Sequence, residues 1–230
     1  MKLSNVEKIK IENNKQYTYR VLKENIMNLN LNPGENISET ELAELLNVSR
    51  TPIREAISTL KSENLIKVFP QKGTFVTKID LDFVEEAFFM RNVLEHEVLR
   101  LACHNFSSEA LLELEKNLHL QEFQAKFSED QIELFNLDNK FHQIIYEEVN
   151  KKKVWKAIKQ MNSHYDRVRL IDAIEKTNLE KTLSQHRQII EIIKNKDFDK
   201  IDEIVLLHLS NFKHKISYFK EIHPEFFIEN

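Results

Sequence analysis

Glycine, proline and cysteine are scarce in this chain of 230 residues, and each shortage excludes a kind of site. Cys103 is the single cysteine, which excludes an intramolecular disulfide and a Cys-x-x-Cys site. The two glycines, Gly34 and Gly73, are too few for a glycine-rich phosphate-binding loop. No stretch is apolar over the roughly 20 residues that a membrane-spanning helix needs, and the first residues lack the apolar core of a signal peptide. We therefore expect a cytoplasmic protein with no membrane partner.

The few glycines and prolines are concentrated in the first third of the chain. Both glycines and three of the four prolines precede Thr74, and neither residue type recurs before Pro224. Because these residues mark turns and strand ends, the distribution predicts tight turns in an N-terminal part and helices joined by short polar turns in the rest. We predict a mainly α protein of two domains, residues 1–78 and 79–230.

Charge also differs between the two parts of the chain, whose net charge is −4. Residues 1–79 carry 12 basic and 9 acidic side chains, a balance of +3, whereas residues 80–230 carry 21 and 28, a balance of −7. A basic segment beside an acidic one indicates a nucleic-acid-binding head joined to a body with another role.

The N-terminal domain has the helix pattern of a winged helix-turn-helix. A first helix is predicted over Lys15–Leu29. Ser38 and Glu41 have the spacing of a capping box at the start of a second helix. Pro52 lies in the first turn of a third helix, where its missing N–H costs little.

Two segments rich in β-branched and aromatic residues follow the third helix. Asn64 can end that helix in the left-handed conformation. Leu65–Phe69 and Thr74–Lys78 then predict two strands, joined by the turn Pro70–Gly73. The result is a two-stranded wing whose tip carries the basic side chain of Lys72.

The exposed side of the third helix carries two arginines near its N-terminal end. In a helix-turn-helix this end enters the major groove, where an arginine can bind O6 and N7 of guanine together or hold a phosphate. The candidate DNA-binding residues are Ser49, Arg50, Thr51, Arg54, Lys72 and Gly73. A helix pair with merely solvated arginines would share part of this pattern, but the wing and the capping box favour DNA binding.

These segments resemble the GntR family of bacterial regulators. The matching segments are NPGENISETELAELLNVSRTPIREAISTLKSENLI and PQKGTFV, and SRTPIREA (Ser49–Ala56) is the most specific part. The resemblance implies that Arg50 and Arg54 contact DNA and that Gly73 lies at the wing tip near the minor groove. Thr40 departs from the family, in which many members carry an arginine, so a DNA contact is not carried over to this position.

The C-terminal domain is predicted to be an all-helical bundle of six helices. They run roughly over residues 80–104, 107–127, 129–150, 152–172, 178–195 and 198–221. Arg91 falls on the apolar face of the first helix, and a buried arginine needs an anionic partner. That partner is either Glu95, one turn further on, or an acidic ligand, and the residues by themselves leave both possibilities open.

Four further polar residues interrupt apolar faces. Asp138 and His142 are four residues apart in the third helix, so their Cβ atoms lie about 6 Å apart on one face. His186 and His208 fall on the apolar faces of the fifth and sixth helices. One histidine in such a place is usually hydrogen-bonded core, but three with an aspartate indicate convergence. One carboxylate and three imidazoles can bind a divalent transition metal and leave positions open for a ligand.

The body also resembles a known domain. FMRNVLEHEVLRLAC, LDNKFHQIIYEEVN, SQHRQIIEIIKNKDFDKI and VLLHLSNF are similar to the FCD effector domain of FadR-type GntR regulators, although residues 105–130 depart from it. The metal ligands implied by the resemblance are Asp138, His142, His186 and His208. The effector-binding residues are Arg91, which matches an arginine that faces the family's pocket, and, with a weaker match, Tyr165 and Arg169.

Together these observations predict a transcription regulator rather than an enzyme. We expect a repressor that binds a palindromic double-stranded operator as a homodimer and responds to a small organic acid bound at zinc, nickel or manganese. A di-iron enzyme would need two Glu-x-x-His motifs, and the chain has none. An architectural DNA binder without an effector would leave Arg91 and the predicted metal ligands unexplained.

Overall fold

The computed structural model describes residues 3, 4 and 6–229, and their contacts form two compact units. The first unit extends to Leu81 and also includes the segment that begins at Lys220, while the second comprises residues 82–219. None of the helices in the described part of the chain combines the length and apolar character that crossing a membrane requires.

The C-terminal segment joins the first unit through backbone pairing. The Ile79 N–H donates to the Phe226 carbonyl at 2.7 Å, and the Ile228 N–H donates to the Ile79 carbonyl at 3.0 Å. Phe227 is almost fully buried beside them. The sequence interpretation assigned these residues to the second domain, because nothing in a short apolar tail indicates which unit it packs against.

Three helices and three short antiparallel strands form the first unit. They are α1 (Asn14–Met27), β1 (Asn36–Ile37), α2 (Glu39–Leu46), α3 (Arg50–Ser62), β2 (Ile66–Phe69) and β3 (Gly73–Val76). The strand order is β1-β3-β2, with Val68 opposite Thr74 and Ile37 also opposite Thr74. The fully buried core side chains include Val21, Leu22, Ile26, Leu42, Ile53 and Leu60.

Local signals set the helix ends in this unit. The Ser38 hydroxyl accepts a hydrogen bond from the Glu41 N–H at 3.2 Å and caps α2. Asn64 follows α3 with a φ of 57°, the left-handed conformation expected for this position. The predicted two-stranded wing has a third strand, β1, which has only two residues and is too short to give a sequence pattern.

Eight α-helices follow in the described part of the chain, in agreement with the predicted mainly α class. They are α4 (Leu81–His104), α5 (Ser108–Phe127), α6 (Gln131–Glu148), α7 (Lys152–Met161), α8 (Ser163–Ile174), α9 (Leu179–Asn195), α10 (Ile201–Leu209) and α11 (Ile216–Ile222). The core of the second unit includes Val98, Leu114, Phe141, Ile190 and Ile204, which come from five of these helices.

Two of the six helices predicted for the body are divided. The predicted helix 152–172 is α7 and α8, with Asn162 as the last cap of one and the first cap of the other. The predicted helix 198–221 is interrupted after Leu209, where Asn211 turns its amide to the Gln185 side chain at 2.6 Å. Neither break contains a glycine or proline, and both polar atoms of the Asn162 side chain are buried without a hydrogen bond to any described residue.

Candidate metal centre

The structure brings together the four residues predicted as metal ligands, inside the second unit. One ligand atom from each of Asp138, His142, His186 and His208 lies within 4.8 Å of all the others. The Nε2 atoms of His142 and His208 are 3.1 Å apart, and His186 Nε2 is 3.6 Å from Asp138 Oδ1. The three imidazoles are buried, and only the Asp138 side chain retains partial exposure. Helices α6, α9 and α10 therefore converge on one polar centre.

Aromatic packing fixes the orientation of two of the imidazole rings. The ring of Phe141 stacks on His186 with centroids 4.1 Å apart and planes 17° apart. The Trp155 indole lies nearly parallel to the ring of His142, with centroids 6.3 Å apart. The rings are held by packing as well as by polar contacts, so the cluster is preorganised.

An acceptor oxygen lies next to Nδ1 of each imidazole. The three pairs are His142 with Glu95 at 3.1 Å, His186 with Gln121 at 2.9 Å and His208 with Gln185 at 3.3 Å. An acceptor at this position assigns the ring proton to Nδ1 and leaves the Nε2 lone pair free. All three Nε2 atoms face the cluster, which is the arrangement found when histidines ligate a metal.

Sequence reasoning missed these supporting residues. Gln121 and Gln185 are buried on inward faces, and each also binds a neighbouring amide, Asn117 at 2.7 Å and Asn211 at 3.2 Å respectively. Their signal in the sequence was a glutamine within an apolar face, a pattern that has many structural causes. Glu95 was considered only as a partner of Arg91.

Burial and nearby charges keep the cluster in a metal-binding protonation state. Burial lowers the pKa of His186 to about 3, and burial together with the neighbouring imidazoles lowers that of His208 well below its usual value. Burial alone would raise the pKa of Asp138, but the Arg169 guanidinium outweighs it and holds this pKa well below its usual range. For His186, His208 and Asp138 the result is neutral imidazole and ionised carboxylate, the forms that bind a metal.

The donor set fits a divalent transition metal. Two ligand atoms that each lie about 2.1 Å from a metal are at most about 4.2 Å apart, so small side-chain shifts bring all four donors to bonding distance. His186 Nε2 is buried and makes no hydrogen bond to any described residue. Such an unsatisfied buried atom is costly, and a metal ion satisfies it. Imidazole and carboxylate together suit zinc, nickel and manganese.

The second oxygen of Asp138 faces a cluster of charges. Its Oδ2 atom pairs with Arg169, whose other nitrogen lies 3.0 Å from Asp166 Oδ1. Asp166 is itself fully buried and also pairs with Lys159. Arg169, a predicted effector contact, thus lies directly beside a predicted metal ligand.

Arg91 combines the two possibilities that the sequence left open. Its Nε donates a hydrogen bond to Glu95 Oε1 at 2.6 Å, which is the internal ion pair. Its Nη1 is buried without a hydrogen bond to any described residue, and the side chain lines a cavity, as a ligand contact would. The guanidinium carbon lies 5.2 Å from the centre of the Tyr165 ring, and the Tyr165 hydroxyl donates to the Leu209 carbonyl at 3.1 Å.

A cavity of about 80 Å³ adjoins this centre. Its polar lining includes Arg91, Asp138, Tyr165, Arg169, Asp172 and His208. Leu134, Phe135 and Leu183 supply apolar wall. Because one water needs roughly 10–15 Å³ of such space, the cavity accommodates a ligand of only a few non-hydrogen atoms.

The residues predicted to bind DNA are all exposed in the first unit. Ser49 precedes the first turn of α3, and Arg50, Thr51 and Arg54 lie at its N-terminal end. Arg54 Nε donates to Glu39 at 2.9 Å, and Arg50 donates to the Thr40 hydroxyl at 3.2 Å. Thr40, the position at which the chain departs from the family pattern, therefore orients one of the two arginines.

The wing tip carries the other predicted DNA contacts, Lys72 in the turn between β2 and β3 and Gly73 at the start of β3. Gly73 has a φ of 120°, in the region that favours glycine, and a Cβ here would lie 2.9 Å from the Asn36 amide nitrogen. Glycine thereby allows β1 to approach the wing tip closely.

Comparisons with known proteins agree with both units. The family description "Bacterial regulatory proteins, gntR family" matches residues 14–76, and "FCD domain" matches residues 86–211. The HTH-type transcriptional repressor RspR of Escherichia coli (strain K12) is 30% identical over 216 residues, which are 93% of each chain. The solved structure of E. coli McbR/YncC has a TM-score of 0.72 at 24% identity and covers 93% of this chain and 100% of its own. A putative transcriptional regulator GntR from Rhodococcus sp. RHA1 has a TM-score of 0.72 at 19% identity, with 89% and 97% covered.

Proposed function

The chain belongs to the GntR family of bacterial regulatory proteins and carries an FCD domain, and from this premise we propose a repressor controlled by a small organic acid bound at a metal ion. Membership confirms the family predicted from the sequence and makes the chain a DNA-binding transcription regulator. The repressor action, the acid and the metal form the proposal. The observation that carries it is the convergence of three imidazoles and a carboxylate on one centre, together with a small cavity beside it that Asp138, His208 and two arginines line.

The proposed metal ligands are Asp138, His142, His186 and His208. When bound, a zinc, nickel or manganese ion supplies a Lewis-acidic charge that attracts an oxygen of the effector. These four side chains would fill four coordination positions, and a metal that accepts more than four ligands would keep positions for the effector and for water. Asp138 and His208 line the cavity, so the ligand side of the centre is accessible from it.

The charges around the cavity favour an acidic effector. Arg91 and Arg169 both line it, and each is already paired with a carboxylate of the protein. A divalent ion adds two positive charges to this balance and leaves the site in need of an anion. The small volume favours a short carboxylic acid, with the Tyr165 ring and the leucine side chains against its carbon atoms.

The first unit supplies the proposed DNA contacts. Arg50 and Arg54 at the start of α3 enter the major groove, while Lys72 and Gly73 of the wing reach the backbone or the minor groove. A homodimer places two such helices in successive major grooves of a palindromic operator. This target places the protein in the cytoplasm.

Control of DNA binding follows from the position of Arg91 on α4, the helix that comes next in the chain after the wing strands. An effector that bridges Arg91 and the metal ties α4 to α6, α9 and α10. A ligand shifts an equilibrium only by its difference in affinity for two states, so the acid must prefer one arrangement of these helices. We propose that this arrangement has the lower operator affinity.

Three measurements on one preparation test the proposal. Elemental analysis of protein purified without a chelator or an affinity tag should find about one divalent metal ion per chain. A thermal-shift screen of short carboxylic acids should find an acid that stabilises the metal-loaded protein. Gel shifts on the promoter of the chain's own gene should then weaken when this acid is added. Metal-free protein with no thermal response to zinc, nickel or manganese contradicts the metal site, and operator binding unaffected by every stabilising acid contradicts effector control.

A further inference from the structure

We propose that Glu95 is a shared counter-ion between the metal centre and Arg91, which strengthens metal binding through His142 and weakens anion binding at Arg91. The inference rests on the proposed function, because it assigns a positioning residue to that metal site and that effector site. Glu95 is buried on α4, one turn after Arg91.

The two oxygens of the Glu95 carboxylate serve different sites. Oε2 is 3.1 Å from His142 Nδ1, and Oε1 accepts from Arg91 Nε at 2.6 Å. A guanidinium N–H and an imidazole N–H both lie against this carboxylate, and hydrogen bonds to the charged form favour ionisation. Glu95 therefore presents a full negative charge to both partners.

The contact with His142 distinguishes this ligand from the other two imidazoles. His186 and His208 have neutral glutamine amides beside Nδ1, whereas His142 has a carboxylate. A carboxylate that accepts the Nδ1 proton fixes the tautomer and makes Nε2 a more basic metal ligand. Among the three imidazoles, only His142 therefore has a charged acceptor, and this acceptor comes from α4.

The contact with Arg91 has the opposite effect on ligand binding. Glu95 neutralises a guanidinium that is fully buried, so an incoming carboxylate finds its positive charge already compensated. Nη1 remains buried without a hydrogen bond to any described residue, and it is available to a second anion. Removing the charge of Glu95 leaves a buried, uncompensated cation, which binds anions more strongly.

One carboxylate therefore links the two binding events. A metal ion at Nε2 makes the Nδ1–H of His142 a stronger donor and draws the charge of Glu95 toward this ring. Arg91 then retains less compensation and binds the effector's carboxylate better. Metal loading and acid binding favour each other through Glu95 without any large movement of the chain.

The variant Glu95→Gln separates the two effects, because it keeps the size of the side chain and removes its charge. Zinc affinity, measured by competition with a chelating dye, should fall by about 10–100-fold. Acetate affinity of the metal-free protein, measured by calorimetry, should rise by about tenfold. Glu97→Gln makes the same charge change at an exposed position of α4 and should leave both affinities unchanged.

The signs of these changes decide between the possible roles of Glu95. A residue that merely supports the fold would lower both affinities together, and this result would overturn the inference. If Glu95→Gln binds zinc as tightly as the wild type, the inference about Glu95 is also overturned. The proposed function is not affected by that result. A wild-type protein that does not bind zinc, nickel or manganese contradicts the metal site itself, and the role of Glu95 with it.

A second variant tests the inference if Glu95→Gln does not fold. Arg91→Met with Glu95→Gln removes both charges of the buried pair, a change that proteins often tolerate. Its zinc affinity should fall by the same 10–100-fold, since His142 still lacks its carboxylate. Zinc affinity equal to that of the wild type in this double variant overturns the inference.

Discussion

The Nε2 atoms of His142 and His208 lie 3.1 Å apart, and in each ring an acceptor oxygen holds the Nδ1 proton on the opposite side. A proton between these two nitrogens makes one of the buried rings an imidazolium, because each Nδ1 also faces an acceptor. A metal ion between them instead accepts a lone pair from each nitrogen. The same contacts that orient the rings thus make the folded protein favour metal binding.

Metal binding should stabilise the fold. After chelator treatment and dialysis, adding zinc, nickel or manganese should raise the melting temperature. At a free metal concentration a hundred times Kd, the free energy of unfolding should increase by about 2.7 kcal/mol. His186→Ala should remove most of this increase, because it deletes one of four ligands. His214→Ala, which changes an exposed histidine, should retain it. An equal response of the two variants contradicts the assigned centre.

The metal-free protein should lose stability in mild acid. Burial lowers the pKa of His186 from 6.5 to about 3, so between these values the unfolded chain binds the proton that the folded chain excludes. Stability therefore rises with pH across this window and falls as the pH drops from about 6.5, with a slope from this one residue of about 1.4 kcal/mol per pH unit. Urea unfolding at pH 7, 6 and 5 measures the slope. The slope of stability against pH should be smaller by this amount in His186→Gln, and the slope in His214→Gln should equal that of the wild type.

Arg54 should carry part of the operator affinity. Arg54→Ala should cost about 1–3 kcal/mol of binding free energy, because an arginine at the groove end of α3 contacts a base or a phosphate. Lys61→Ala, at the C-terminal end of the same helix, controls for the general loss of positive charge. Fluorescence anisotropy with operator DNA at two salt concentrations makes the comparison. Similar losses in both variants would show that α3 acts only through its net charge.

Glu39 should limit operator binding, since its carboxylate holds the Arg54 guanidinium at 2.9 Å. Glu39→Gln frees the arginine and removes a negative charge from the DNA-facing side. Operator affinity should increase, by about three- to tenfold at low salt, with a smaller gain at high salt. Glu44→Gln makes the same charge change at another exposed position of α2 and serves as control. Unchanged or weaker binding of Glu39→Gln would mean that the ion pair positions Arg54 for its contact.

Arg91 should be required for the response to the acid but not for operator binding. Arg91→Lys keeps a positive partner for Glu95 and removes the terminal guanidinium nitrogens that face the ligand. Gel shifts should show operator affinity close to that of the wild type and little change on adding the acid found in the thermal-shift screen. Arg100→Lys tests the same substitution on α4 away from the cavity. If Arg91→Lys loses operator affinity on adding the acid as the wild type does, Arg91 does not bind the acid and serves only in the ion pair with Glu95.

The sequence predicted the parts of the centre that depend on helical periodicity. Asp138 and His142 share a face because they are one turn apart, and His186 and His208 interrupt apolar faces in a way that indicates a polar interior. The supporting contacts could not be predicted, because they depend on which helices pack together. Nothing local distinguishes Gln121 from a glutamine that merely lies at the edge of a core.

The parts of the fold that were missed have no clear signal in the local sequence. The break at Asn162 contains no glycine or proline, and its backbone hydrogen bonds to Ile158 and Asp166 are those of a nearly continuous helix. Strand β1 has two residues and becomes a strand only through its pairing with β3. For β1, pairing with a neighbouring strand rather than residue preference determines the feature.

The backbone pairing of Ile79 with Phe226 and Ile228 makes the first unit discontinuous in the gene. Its coding sequence has two pieces, separated by the whole of the second unit. A single recombination event that joined this head to the effector domain of a relative would therefore supply a foreign tail to cover Ile79. If the second unit is exchanged for that of another family member, Ile79 stays covered only when the C-terminal residues of the incoming protein also pack against the first unit. We therefore expect substitutions around the cavity to change the proposed effector specificity with less damage to the first unit than replacement of the whole domain.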